Sequence, residues 1–318
     1  MANPNQHDHD EQTSDLPVWS QTTLTPGEYA DFIRLVTEEM GRQTMPAALD
    51  LQRGLLTLQQ RGGALGQAPL QGLARLCRAR GRAAWAETIR EFFALLRRVH
   101  RDPARLLEPL ERYEDARGRI KIRLHGGAYL AHPDAQRLVM RRVTDGIAGL
   151  LVCDLGFANV AVPAEMARSW RRSKDEVWAA AVENVRAEGR LHESLGMEAG
   201  VPVDLLASES HYAASHLLFF GDYVPRDAGY GALVGVPNRH MLVRHVIRGR
   251  DVFSAVHLMA QVIHDWYVEG PGQVAKDVYW WRAGKLTPIA LTEMPNGLFM
   301  VVGDRFAEDV LDKVMQGN

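Results

Sequence analysis

Apolar positions recur at helical spacing up to about Gly118, and beyond it they alternate with polar ones or gather in short runs. Thr25-Pro26-Gly27-Glu28 has a hydroxyl to cap a helix, a proline at its first position and a glutamate three residues after the cap. Tyr29, Phe32, Ile33 and Val36 then give one apolar face, and the pattern predicts a helix to about Gly41. Leu49 to Leu58 reads as extended chain broken at Gly54, with Arg61-Gly62-Gly63 as a hairpin turn. Helices are predicted at Leu70 to Arg80, at Ala83 to His100 and, from an Asp102 cap, at Pro103 to Tyr113.

After Gly118, Ile120, Ile122 and Leu124 alternate with Lys121 and Arg123, the signature of a half-buried strand. Further strands are predicted at Gln136 to Arg142 and Ile147 to Asp154. Ser173-Lys174-Asp175-Glu176 opens a helix that ends near Gly189. His211 to Phe220 reads as helical. Leu233 to Val236 and Met241 to Ile247 form a hairpin about Pro237-Asn238-Arg239, and Val278 to Arg282 and Thr287 to Leu291 form another about Ala283-Gly284. Between them, Asp251 starts a helix to about Val268, and a strand at Leu298 to Val302 and a helix from Asp304 close the chain. The class is α+β: a helix-rich N-terminal half with a small hairpin, then a C-terminal half with a mainly antiparallel sheet flanked by helices. The expected divisions are a disordered acidic tail over 1–24, a helix-rich region over 25–118 and an α+β domain over 119–318.

With 318 residues, 46% of them hydrophobic, the chain can bury a full core. Cys77 and Cys153 have no metal-ligand spacing, so reduced buried thiols are expected. The polar, acidic start lacks the basic and apolar stretches of a signal peptide, and the apolar run Ile147 to Cys153 is too short to span a bilayer. A cytoplasmic protein without a membrane role is expected. Net charge is −2 but uneven: −7 over 1–50, +9 over 51–123 and −4 beyond. The basic stretch suggests phosphate contacts through Arg75, Arg78, Arg80, Arg97 and Arg98. Glu87 and Glu91 share its helix, which favours a solvated face.

The strand ending at Asp154, the Val160-Ala161-Val162 stretch, the capped helix with Ala180-Ala181-Val182-Glu183-Asn184-Val185 and the hairpin Leu233 to Arg239 resemble the YtpQ-like bacterial family, a group named as a domain of unknown function. The likeness covers most of the chain, though His240 stands where an acidic residue is expected. The family implies no activity. The order of elements is also similar, more weakly, to YbjN-like proteins and type III secretion chaperones, which bind protein segments.

His125-Gly126-Gly127-Ala128 looks like an oxyanion loop, but no serine sits in a Gly-x-Ser-x-Gly elbow. Gly229-Tyr230-Gly231 precedes a strand and not a helix, unlike a dinucleotide loop. His211 and His216 are five apart, and His257 and His264 seven apart; neither pair closes on one zinc ion unaided. No catalytic, metal or cofactor residue is assigned. Adjacent strand residues face opposite sides, so Trp280 and Trp281 cannot share one core and one of them is a candidate for partner contact. The leading expectation is a non-catalytic interaction module, chaperone- or adaptor-like, that meets an unidentified protein through Trp280 or Trp281 and the Asn238-Arg239 turn. The alternatives are nucleic-acid binding by the arginines named above, and an enzyme assembled around His125, Asp154 and His211.

Overall fold

Both capping boxes close as their residue patterns predict, with Thr25 accepting from the Glu28 N–H and Ser173 from the Glu176 N–H while each glutamate reaches back to its cap. A computed structural model describes residues 16–21, 23–43, 47–52, 54–59, 65–101, 107–131, 133–156, 159–198, 200–270, 272–293, 299–301 and 305–316. The architecture is α+β. Two compact units divide the chain: Met1–Glu111 with Asp154–Val160, and Arg112–Cys153 with Ala161–Asn318.

The first unit holds helices α1 (Val18–Gln21), α2 (Pro26–Gly41), α3 (Leu70–Arg80) and α4 (Trp85–Arg101), with strands β1 (Ala47–Asp50), β2 (Leu55–Gln59) and β3 (Leu65–Pro69). The strands form an antiparallel sheet in that order. Sequence patterning predicts only a hairpin here. The third strand, Leu-Gly-Gln-Ala-Pro, carries no β-branched or aromatic residue, and its proline is tolerated at an edge. Phe32, Val36, Leu56, Leu73, Cys77, Trp85, Ile89 and Phe93 fill the core. The expected tail over 1–24 is folded from residue 18. Ser20 and Leu24 are buried, the Trp19 indole N–H donates to the Leu51 carbonyl at 2.8 Å, and Gly54 at φ +61 leaves room beneath that ring. Leu16, Trp19 and Leu24 are apolar enough to dock this segment. The predicted turn at Arg61-Gly62-Gly63 and the start of the Pro103 helix lie outside the described residues; beyond them are a 3₁₀ turn at Glu108–Leu110 and, in the second unit, a short helix at Tyr113–Ala116.

In the second unit, strands β4 (Ile120–Gly126), β5 (Met140–Thr144) and β6 (Ile147–Asp154) pair antiparallel with β6 central. Helix α5 (Lys174–Arg186) covers one face, where Trp178 fills the space above Gly149 beside Ile122. The strand predicted from Gln136 starts at Met140 instead, because Pro133–Arg137 winds into a 3₁₀ turn.

A larger antiparallel sheet comprises β7 (His192–Ser194), β8 (Asp204–Ala207), β9 (Ala232–Gly235), β10 (Met241–Val246), β11 (Val278–Arg282) and β12 (Lys285–Pro288), in the order β12-β11-β9-β10-β8-β7. Helix α6 (Val252–Glu269) lies on it through Val252, Ala255, Val256, Met259, Ala260 and Ile263. The predicted helix at His211 to Phe220 is a 3₁₀ segment, Ala213–Tyr223, irregular at Phe219 (φ −132, ψ 37). Its side chains are apolar nearly all round and eight are buried, so neighbours on every side dictate its path rather than one amphipathic face. Ser215 Oγ donates to the Ile122 carbonyl at 2.7 Å and ties this segment to β4. Among the described residues, no helix is long and apolar enough to cross a membrane.

Ile263 occupies the space a side chain at Gly235 would need: a Cβ there would lie 2.0 Å from Ile263 Cδ1. Ile263→Ala is expected to cost about 2–5 kcal/mol through lost burial and a residual cavity. Urea unfolding would register this as a lower midpoint; a loss under about 1 kcal/mol would show a helix only loosely seated.

Candidate functional site

The alternation in β4 sends Ile120, Ile122 and Leu124 into the core and leaves Lys121, Arg123 and His125 on the opposite, half-buried face. Three cation-capable residues at every second position therefore share one surface. The loop before Ala213 and the β9–β10 connection bring up Tyr212, His211, Arg239 and His240, held together because Ser208 N–H donates to the His240 carbonyl and Ala214 N–H to that of Arg239. Tyr129, on the 3₁₀ turn Gly127–Ala131, stacks on His125 with ring centroids 4.6 Å apart.

Two glycines make this approach possible. A Cβ at Gly126 would lie 2.9 Å from the Val274 carbonyl, and one at Gly272 (φ +71) would lie 2.7 Å from Arg239 Cδ. The Arg239 stem rests on Gly272, whose carbonyl accepts from the Arg239 N–H at 3.0 Å. Arg239 Nε–H then donates to His240 Nε2 at 2.9 Å, which leaves the His240 proton on Nδ1, and the His240 and His211 rings lie 5.5 Å apart.

The charges on this face are held differently. Lys121 pairs with Glu188 and lies over the Tyr212 ring at 4.6 Å. Arg123 Nε is buried and has no hydrogen-bond partner among the described residues. Burial pushes the Arg123 pKa below its ordinary value, opposed by the Tyr212 and Tyr129 phenols, yet a guanidinium stays charged in proteins. His125 Nε2 is buried and equally unmatched. Burial, followed by the Arg123 and Arg239 charges, lowers the His125 pKa from 6.5 to about 4, so the ring is neutral near pH 7.

Arg244 shows how the same unit treats a structural cation. Its guanidinium, only 8% exposed, meets Asp204 at 2.7 Å and Glu193 at 3.1 Å and donates to the Tyr223 carbonyl, fastening β7 and β8 to β10. Buried charges are normally paired in this way. Arg123, half-buried on β4, differs from Arg244 in having phenols and imidazoles nearby where Arg244 has carboxylates. Such a group of donors is suited to hold an anion.

Of the residues singled out from sequence, Arg239, His125 and His211 reach this face. Trp280 does not. It is 5% exposed, its indole N–H donates to the Tyr230 carbonyl at 2.8 Å, and its ring meets Phe306 edge-on. Trp281 packs on the other side of the sheet against Phe220 and Gly221. Trp280 is buried, whereas Trp281 keeps part of its surface exposed. Asn238 is 1% exposed rather than at a surface tip: its Nδ2 donates to the Trp266 carbonyl at 3.4 Å and its Oδ1 accepts from the His240 N–H, so it joins the end of α6 to the turn.

The arginines proposed for nucleic acid are engaged one by one. Arg80 pairs with Glu91, Arg97 donates to Gln43 and Arg78 to the Thr23 carbonyl, while Arg75 is half-buried. The Arg98 side chain lies outside the described residues. Asp154 accepts from the Gly156 N–H in a local turn. Gly127 N–H is committed to the Gly146 carbonyl, so it cannot serve an oxyanion. Among the described residues, no group of three His, Cys, Asp or Glu is arranged to hold a metal ion. Tyr129 and His240 were not marked as site residues from the sequence, and Arg123 only as the end of the arginine-rich 75–123 region; the signal that groups it with His125 is the Lys-x-Arg-x-His run on one face of a strand.

Compared with known proteins, the chain matches no family model, no curated protein and no solved structure.

Arg123→Met is expected to leave the melting temperature unchanged or raise it, since it removes a buried charge that lacks a carboxylate partner. A clear fall in scanning calorimetry would show that Arg123 is structural. A buried histidine contributes to acid stability alongside His125. His216 Nδ1 meets the Tyr223 hydroxyl at 2.7 Å, and burial lowers its pKa from 6.5 to about 4. A histidine with a depressed folded-state pKa contributes stability that is complete above about pH 6.5 and is lost toward pH 4, here roughly 3 kcal/mol. Urea midpoints should fall over that window, and His216→Gln should flatten the fall; an unchanged slope in the variant would refute the assignment.

Proposed function

We propose that the chain is a non-catalytic binding module whose partner presents an anionic group to the polar face of β4, at Arg123, His125 and Arg239. One observation carries this reading: Arg123 is a half-buried cation whose buried Nε has no hydrogen-bond partner among the described residues, while the buried Arg244 of the same unit has two carboxylates. An arriving oxyanion would complete Arg123 as Asp204 and Glu193 complete Arg244. The surrounding groups support binding over chemistry, because guanidinium, imidazole and phenol groups are donors that hold an anion in place. A protein segment that carries an oxyanion suits the interaction-module reading.

Isothermal titration calorimetry with phosphate, sulfate and acetate at constant ionic strength tests the proposal. At least one anion is expected to bind with Kd on the order of 1 mM or tighter, about −4 kcal/mol. Arg123→Met should weaken it at least tenfold. No binding by any of the three, or undiminished binding to the variant, would overturn the reading.

A further inference from the structure

We propose that the anion received at this face is a fully ionised oxyanion, taken up together with a proton that settles on His125. The inference rests on the anion-binding reading above and adds what happens inside the site. His125 stands two positions from Arg123 on one strand face, and both residues have a buried ring or guanidinium nitrogen without a partner among the described residues. Tyr129 covers the imidazole from the 3₁₀ turn, and the charges that act on it are Arg123 from its own strand and Arg239 from the β9–β10 connection. Lys121, farther along β4, is already matched by Glu188, and His240 accepts from Arg239.

In the free protein those two guanidinia and burial keep the ring neutral. An anion acts against the charge part of this, while burial remains. It offsets the arginine charges and sets an opposite charge within a few ångströms of the imidazole, a placement that raises a histidine pKa by about 1–3 units. Protonated His125 then gives the anion a charged N–H donor beside that of Arg123. The bond formed is N–H to His125, and the proton comes from solvent or buffer; nothing is oxidised or reduced. Because the free ring titrates near pH 4, affinity should be flat at alkaline pH and rise as pH falls through the bound-state pKa. A carboxylic ligand would itself take up protons in part of this range, so an oxyanion that keeps its charge suits the coupling best.

Sulfate is the probe, since it stays doubly charged across the range. Calorimetry on the full chain in two buffers of different ionisation heat reads proton uptake directly. The expected results are sulfate affinity about tenfold higher at pH 5 than at pH 8, net uptake of a proton fraction near pH 5.5 and none near pH 8.5. His125→Gln should still bind sulfate but lose both the uptake and the pH dependence. Binding with no proton uptake and a flat pH profile would overturn the coupling and leave the anion site standing. Uptake that persists in His125→Gln would overturn the assignment by placing the proton on His211 or His240. Absence of sulfate binding at every pH would remove the site itself, an outcome already distinct from the others.

Discussion

Helix α6 can lie on the larger sheet only because β9, a central strand, has glycine at position 235 beneath Ile263. Any side chain there would lift the helix from Leu233, Val243, Val278 and Trp280, whose burial holds the second unit together. With one sheet face closed by α6, the other receives the Ala213–Tyr223 segment, where Phe220 meets Trp281 and Ser215 bonds to β4. That segment joins the larger sheet to the smaller one. The cationic face of β4 is thus a product of the packing: Tyr212 and Arg239 arrive beside Lys121 and Arg123 because the 3₁₀ segment and the β9–β10 turn are bonded to each other.

What could be read from the residues depended on how local the determinant was. Capping boxes at Thr25 and Ser173 and the alternation over Ile120–Leu124 are local, and each gave the right element. The Ala213–Tyr223 segment is governed by neighbours far along the chain, so a helical periodicity pointed to the wrong helix type. The tryptophans illustrate the same limit. That Trp280 and Trp281 face opposite ways followed from strand geometry, but the burial of Trp280 and the packing of Trp281 depended on Phe306 and Phe220, which no spacing rule places beside them. Half of the site was visible in the Lys-x-Arg-x-His alternation. The other half, Arg239 above Gly272, is a long-range contact that a single sequence does not announce.

The arginine-rich first unit shows why composition is a poor guide to partners. Arg80 bonds to Glu91 and Arg82 to Asp31, the second pair setting a cation of the 51–123 stretch against an acid from 1–50. Exposed pairs of this kind are worth little stability each, about 0–1 kcal/mol.

Gly126 and Gly272 have no charge and touch no ligand, yet both are conditions for the cationic face, since a methyl group at either would meet a carbonyl or the stem of Arg239. A lineage losing either glycine would be expected to lose the face before it lost the fold. Descent of this site would then be traced through two small residues and their distance from Arg123, and a chain could keep every cation and still have surrendered the trait.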